Sequence, residues 1–209
     1  NVSASNGGAL SINGGSFYSV GLELKSNTSR LVVGDVVNGG SGGAIYAENG
    51  ASIVLQGGSL MGNSAGYGVA IEFRENCTLF INSGCEFQGN QAWSLDFGSS
   101  RGASISNLSA NLYVNDASFL SNNVFDGSGG GIFSNGGKNV FINSLFSNNQ
   151  AAKGGGIFLE NNSTLALNSS TLTGNNASNL GGGIFISSGS YLYDFGAFFT
   201  ENTPDDIFR

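Results

Sequence analysis

Fourteen acidic side chains, seven basic ones and two cysteines hold most of the reactive chemistry in this 209-residue chain, which has no histidine. The commonest general base and the commonest metal ligand are therefore missing. Hydrolysis of a glycosidic bond would need two carboxyl groups roughly 5–10 Å apart across the scissile bond. Elimination from an acidic polysaccharide would need an Arg or Lys base beside a cation held by clustered carboxylates. Glu23 and Glu72 come nearest to such a pair: the repeat described below would set them in one column on either side of Tyr46, about 10 Å apart. Asp205 and Asp206 are neighbours in sequence, whereas Asp35, Asp96, Asp116 and Asp126 fall at unrelated points of the repeat. The basic residues Lys25, Arg30, Arg74, Arg101, Lys138 and Lys153 do not cluster, and no carboxylate spacing recurs as a repeated metal site would require. Isolated surface charges that keep a protein soluble account for this distribution. The expectation is a chain that is not an enzyme, with no catalytic residues, no metal and no cofactor.

What remains is a matter of positioning, and composition bounds it. Only 10% of residues are charged, 35 are glycine and one is proline, which excludes charged coiled coils and highly charged disordered tails. A net charge of −7 argues against nucleic acid as a partner. No apolar run approaches the roughly 18 residues of a membrane span. Residue 1 does not open a signal peptide, so the segment reads as mature or excised.

The chain repeats itself. Gly-Gly-Ala-Ile ends at Ile45, Gly-Val-Ala-Ile at Ile71 and Gly-Ala-Ser-Ile at Ile105. Three Gly-Gly-Gly-Ile-Phe copies place their isoleucines at Ile132, Ile157 and Ile184, and a worn copy ends at Ile207. Successive spacings are 26, 34, 27, 25, 27 and 23 residues, with Leu22 fitting one step before Ile45. Seven or eight residues after each isoleucine comes an alternating apolar pair: Ile53/Leu55, Leu79/Ile81, Leu112/Val114, Val140/Ile142 and Leu165/Leu167. Further on, a Leu or aromatic precedes Asn by three positions, as in Phe87/Asn90, Phe119/Asn122 and Phe146/Asn149. Period two, broken by residues that tolerate positive φ, means short half-buried strands between sharp corners. Three such strands in about 26 residues describe one coil of a single-stranded right-handed parallel β-helix. About eight coils make a single solenoid domain over 1–209: irregular first coils over 1–42, regular repeats over 43–209, and an inserted loop near 91–102 that accounts for the 34-residue step.

In that frame Asn63, Asn90, Asn122, Asn149, Asn175 and Asn202 stack at one corner, where amides both donate and accept along the rod and form a structural ladder. If the isoleucines point inward, their successors Glu23, Tyr46, Glu72, Ser106, Phe133, Phe158, Phe185 and Phe208 point outward. Phe80, Tyr113, Phe141 and Tyr193 form a second outward set. These aromatics read either as an interface, lateral between subunits or flat against sugar rings, or as ladder stacking within the sheet. Glycosylation sequons stand at Asn27, Asn76, Asn107, Asn162, Asn168 and Asn176, and also at Asn1 and Asn161; corners that favour Asn and Ser would produce many of them anyway. Cys77 and Cys85 are an even pair, which suggests a disulfide in an extracellular chain. Their places at the starts of the second and third strands of one coil exceed the roughly 7 Å Cα separation of a bridge, so free buried thiols are favoured over that disulfide.

The pairing of Gly-Gly-x-Ile with Phe-x-x-Asn resembles the repeats of the chlamydial polymorphic membrane proteins, and most closely so over Phe146-Ser147-Asn148-Asn149 and Gly154-Gly155-Gly156-Ile157-Phe158. The resemblance runs from about Gly42 to the C-terminus; Leu60 and Leu172 replace the Phe, and Gly131, Gly156 and Gly183 replace an Ala. It implies an extracellular, surface-exposed passenger that adheres to host cells, with a cell-surface protein or glycan as partner. The residue pattern keeps a second reading open: a filament in which the chain is its own partner, stacked head to tail through the strand-two residues Leu10-Ser11-Ile12 and the strand-one residues Ile207-Phe208. A polysaccharide-active enzyme is the third.

Overall fold

A five-residue strand cannot satisfy its own backbone, so every strand in such a chain needs a neighbour on each edge. The computed structural model, which describes residues 1–3, 6–33, 36–93 and 100–209, meets that need by stacking coil on coil. Eight short parallel strands form an isoleucine sheet, from Leu10–Asn13 and Ile45–Glu48 through to Ile184–Ile186 and Ile207–Phe208. Ile45 lies on Ile71, Ile71 on Ile105, Ile105 on Ile132, and so on through Ile157 and Ile184. All six are fully buried. A second sheet contains longer strands such as Ser52–Met61, Thr78–Gln88 and Asn111–Leu120. A third, of short arms, collects the residues that follow each ladder asparagine, among them Ser64–Ala65, Gln91–Ala92, Asn123–Val124 and Gln150–Lys153. The chain is a parallel β-helix with three strands per coil.

The residue before each ladder asparagine makes the corner. Ser26, Gly62, Gly89, Ser121, Asn148, Gly174 and Glu201 all have φ between 52° and 62°, the left-handed region that turns a strand sharply. The following asparagine is thereby aimed inward. Its Oδ1 accepts both the backbone N–H and the Nδ2–H of the asparagine one coil earlier; its Nδ2 donates to the next Oδ1 and to a backbone carbonyl of the preceding coil. At Asn122 these four bonds join Asn90 (3.0 and 2.9 Å), Asn149 (2.9 Å) and the Phe87 carbonyl (2.9 Å). Asn27 occupies the first rung, donating to Asn63 Oδ1 from N and Nδ2 at 2.9 and 3.0 Å. Asn202 closes the series and donates to Asp206 Oδ1 at 2.8 Å.

Apolar packing follows the same stacking. Phe87, Phe119 and Phe146 lie ring on ring, with centroids 4.9 and 4.6 Å apart. Phe141 meets both of the last two edge-on at 5.8 and 5.0 Å. Behind the ladder a second small core of Ala65, Val69, Ala92, Ala103, Val124 and Ala151 fills the narrow space under the arms. The triple glycines bring the chain into that space. Gly154 has φ 61°, and a Cβ on Gly155 would meet the Gly182 carbonyl oxygen at 2.5 Å, so neither position accepts a side chain.

The structure redraws several expected positions. Leu10, and not Leu22, stacks on Ile45, and Leu10–Asn13 belongs to the isoleucine sheet rather than to a second strand. Leu22 and Glu23 instead face Gly58 and Ser59 in the long-strand sheet, because the first coil carries the antiparallel hairpin Thr28–Val33/Val36–Gly39 and is correspondingly longer. The alternating run and the Phe-x-x-Asn run share one sheet. Left-handed residues such as Ser83, Gly84 and Asp116 kink the strand there and let it continue on the same side, while the third sheet begins only after the asparagine. Val140 and Ile142 face out, and Asn139 and Phe141 face in, because the Gly136-Gly137 corner is one residue shorter and period two inverts every side chain. Of the expected insertion, residues 94–99 lie outside the described residues; Ser100–Arg101 after it pairs with Gly127–Ser128.

Asn122→Ala would strand two donors on Asn90 and the Phe87 carbonyl in the core, and should cost about 2–4 kcal/mol in denaturant unfolding. Asn202→Ala, at the half-buried last rung, should cost no more than about 1 kcal/mol in the same measurement. Equal costs would mean that the ladder bonds do not carry the corner.

Candidate binding groove

Side chains that follow the isoleucines leave the core side of the sheet, as alternation requires. Register places Tyr46, Glu72, Ser106, Phe133, Phe158, Phe185 and Phe208 in one outward column. Phe133 and Phe158 are nevertheless only 4% and 6% exposed, while Phe185 and Phe208 are half-buried. Of the two readings of these rings, ladder stacking within the sheet describes the column, which is covered at Phe133 and Phe158 and partly open at Phe185 and Phe208. Rings one strand spacing apart stack nearly parallel, with centroids 5.4, 4.9 and 5.3 Å apart, so each consumes its neighbour's faces and only edges look outward.

Cations lie beside several rings of this face. Arg101 lies 5.3 Å from the Phe133 centroid and 4.8 Å from that of Tyr67, filling the column where Ser106 supplies no bulk. Arg74 covers Tyr46 at 5.2 Å and Lys153 covers Phe185 at 5.5 Å. Each lies within cation–π range of its ring. Glu72 is completely buried between Tyr46 and Ser106. Its Oε1 takes Arg74 Nε at 2.9 Å and Nη2 at 2.8 Å. Oε2 makes no well-formed hydrogen bond, although the Ser41 hydroxyl stands close enough to pull the carboxyl pKa down. Burial dominates and drives that pKa up, against the opposing pull of Arg74 first and Arg101 after it. Burial, followed by the hydrogen bond to Glu48, likewise pushes the Tyr46 phenol up to about 12. Arg101 thus adds its charge to the Glu72–Arg74 pair from the next coil, a neighbourhood hidden in the sequence because Arg101 lies 29 positions beyond Glu72.

The groove beside this column holds about 240 Å³ and is lined by Tyr67, Ser100, Arg101, Ser128, Phe133, Phe158 and Glu160. Asn135 Nδ2 donates to Glu160 Oε1 at 2.8 Å and fixes the acidic wall. A guanidinium, a carboxylate, two serine hydroxyls and the Tyr67 phenol therefore surround the edges of Phe133 and Phe158, an arrangement suited to a ligand that is polar at its rim.

Other expected site residues separate. Glu23 pairs with Lys25 at 3.1 Å in the long-strand sheet and shares no column with Glu72. Asp205 Oδ1 accepts from the Gly181 and Gly182 amides at 2.7 and 3.2 Å. Asp35 and Asp96 lie outside the described residues. Among the described residues no three His, Cys, Asp or Glu side chains come together, and no helix is long and apolar enough to cross a membrane. Both cysteines are buried and free; burial raises the Cys85 thiol pKa, and its Sγ faces the Asn82 carbonyl at 3.3 Å. Asn27 and Asn107 are buried, 3% and 0% exposed, and are corrected from sequons to structural groups. Asn27 is a ladder rung, and Asn107 donates to Asn139 Oδ1 at 2.9 Å and accepts from Ala110 N–H at 3.0 Å. The Leu24-x-x-Asn27 spacing, the same as Leu60-x-x-Asn63, was the signal for the missed rung. Asn76, Asn162, Asn168 and Asn176 are exposed.

Of the second aromatic set, Phe141 is fully buried, Tyr113 half-buried, and Phe80 and Tyr193 are 38% and 52% exposed. Phe80 stacks on Tyr113 at 5.1 Å. Tyr18, Val54, Phe80, Tyr113, Val140, Ala166 and Tyr193 share one outward column.

A rod made of successive parallel coils, with a groove along one face, defines the class of protein. A family model described as a right-handed β-helix region matches residues 20–203, and the chain belongs to that family. Comparison with curated proteins and with solved structures gave no match.

Because the folded state raises the Glu72 pKa, it holds that proton more tightly than the unfolded chain does. Stability from this group is full below the ordinary Glu range and falls as pH rises through the raised folded value. Glu72→Gln removes the effect. Its melting temperature relative to the parent should therefore climb between pH 4 and pH 8, by about 2–4 °C for each kcal/mol involved. A difference that stays flat with pH would place the proton elsewhere.

Proposed function

We propose that this chain is a non-catalytic, extracellular β-helix rod that serves adhesion or display, as its resemblance to chlamydial polymorphic membrane protein repeats implies. The groove carries the reading. Arg101, Glu160, Ser100 and Ser128 meet around the edges of Phe133 and Phe158 in an open space of about 240 Å³. Such a rim offers charge-assisted hydrogen bonds to the hydroxyls of a cell-surface glycan. The other acids of fixed geometry are committed to the framework, Glu72 to Arg74 and Asp205 to two backbone amides, which favours recognition over bond cleavage. Exposed corner asparagines Asn76 and Asn162, both at left-handed φ, would carry glycans on one edge of the rod if the chain passes through a glycosylating pathway.

The test is a glycan array and a host-cell binding assay with the purified protein. Binding should appear in at least one, and Arg101→Gln or Glu160→Gln should weaken it about tenfold, roughly the worth of one charge-assisted hydrogen bond, with unchanged circular dichroism. No binding by the parent protein, or release of new sugar ends from a bound glycan, would defeat the proposal.

A further inference from the structure

The exposed face of the long-strand sheet is unlike the rest of the molecule. Seven strands cross it, from Ser16–Lys25 and Ser52–Met61 to Thr164–Asn168 and Tyr191–Phe195. Each contributes three outward positions on the stretch level with Tyr113, twenty-one in all. Lys138 is the single charged residue among them, in a chain with fourteen acidic and seven basic residues. Seven of the ten exposed large hydrophobic side chains among the described residues are on this stretch, including Tyr18 at 63%, Tyr193 at 52% and Phe195 at 59%. An apolar concentration of this kind on one face marks an interaction surface.

We infer that this face is a self-association surface on which a second copy of the chain packs, sheet against sheet, with the two rods antiparallel. The sequence of the central column selects the occupant. A twofold axis along the strand direction, between the strands Asn111–Leu120 and Lys138–Ile142, brings Tyr113 opposite the second copy's Val140, Phe80 opposite its Ala166, and Val54 opposite its Tyr193. Every pair sets a ring against a smaller aliphatic side chain, the bump-and-hollow match that two sheets about 10 Å apart require. Lys138 meets the neutral Asn111, so the only cations on the face do not oppose each other. A foreign partner would have no reason to match this order of sizes.

Six strand spacings by five residues give a projected footprint of about 29 by 17 Å, or roughly 500 Å². That is below the roughly 800 Å² per partner of a stable complex, so the dimer is reversible, with a dissociation constant in the micromolar range. It also leaves no room for a glycan on Asn168, which faces the second copy's Asn82. The groove is lined by the isoleucine sheet and the third sheet, away from this face, so this inference stands apart from the adhesive reading.

Sedimentation velocity of the whole chain, made without N-glycans, should show monomer giving way to dimer as concentration rises through the micromolar range. Phe80→Glu and Ala166→Lys should each raise the dissociation constant at least tenfold, with unchanged circular dichroism. The double variant should regain the dimer, because each new carboxylate then faces a new ammonium across the interface. Amine labelling of the parent protein needs no variant: Lys138 should become protected as the dimer forms, while Lys153 does not. A parent that stays monomeric to about 1 mM, far above micromolar, overturns the inference. So does a dimer whose Lys138 labels unchanged, a pair of folded single variants that dimerise normally, or a glycan on Asn168 of the natively produced protein.

Discussion

One hydrogen-bonded column holds the circuit closed. A β-helix needs its backbone to leave one sheet, turn, and land in register one strand spacing further on, and the turn is where the backbone is hardest to satisfy. Here a left-handed residue makes each turn, and the asparagine after it spends all four of its hydrogen-bonding capacities on the coils above and below. A shorter or branched side chain could not do both jobs. Asp lacks the donors, Ser lacks the reach, and Gln would displace the corner by a methylene. The column also divides the interior: large aliphatic and aromatic groups fill one side, and alanines and valines fill the other. Through that division the ladder sets the cross-section, and the glycines follow from it, because the arm passes the next coil too closely for a Cβ.

Translation along the rod also explains why so little charge is used. Any outward position recurs every ~4.8 Å, so a charged residue kept in the repeat would face its own copy at contact distance. Among the described residues, no strand register sets two charged side chains directly opposite each other. Glu72 lies between Tyr46 and Ser106, Lys138 between Asn111 and Thr164, and Glu23 is separated from Glu86 by Ser59. Amides, hydroxyls and rings take the remaining places because they gain from meeting their own kind. Charges enter singly, braced by a neighbour, as Glu72 is by Arg74 and Glu160 by Asn135.

This symmetry made the fold legible in sequence and obscured part of the site. A period of about 26 residues with Gly-Gly-x-Ile and Phe-x-x-Asn determines coil, sheet order and ladder, because stacked equivalents must share chemistry. Local insertions and deletions break the count without breaking the stack. The hairpin after Asn27 disguised Leu10 as something other than an anchor, and the shortened Gly136-Gly137 corner turned Phe141 from an outward ring into a core one. Burial escapes the sequence for a different reason. Alternation says on which side of a strand Phe133 lies, but not that Arg101, arriving from the preceding coil, covers its face. Asn107 shows the same limit: a sequon is a local pattern, and its burial against Asn139 is set by a residue 32 positions away.

The three faces therefore have different capacities for recognition, and the difference is geometric. Rings stacked at strand spacing use up their own faces, so the Phe133–Phe158–Phe185 column offers a ligand only edges, and its polarity must come from the arginine and glutamate beside it. The arms of the third sheet stand over alanine-sized residues, and their Ser100, Arg101 and Ser128 supply one wall of the groove beside that column. On the long-strand sheet the ring stacking is interrupted: Val54, Val140 and Ala166 separate Tyr18, the Phe80–Tyr113 pair and Tyr193, and the Lys138 ammonium lies 5.5 Å from the Tyr113 centroid. Where a repeat is perfect, its surface is satisfied by itself. Recognition has room only where the repeat lapses, and in this chain the lapses are the Ser106 gap that Arg101 enters and the small residues between the tyrosines.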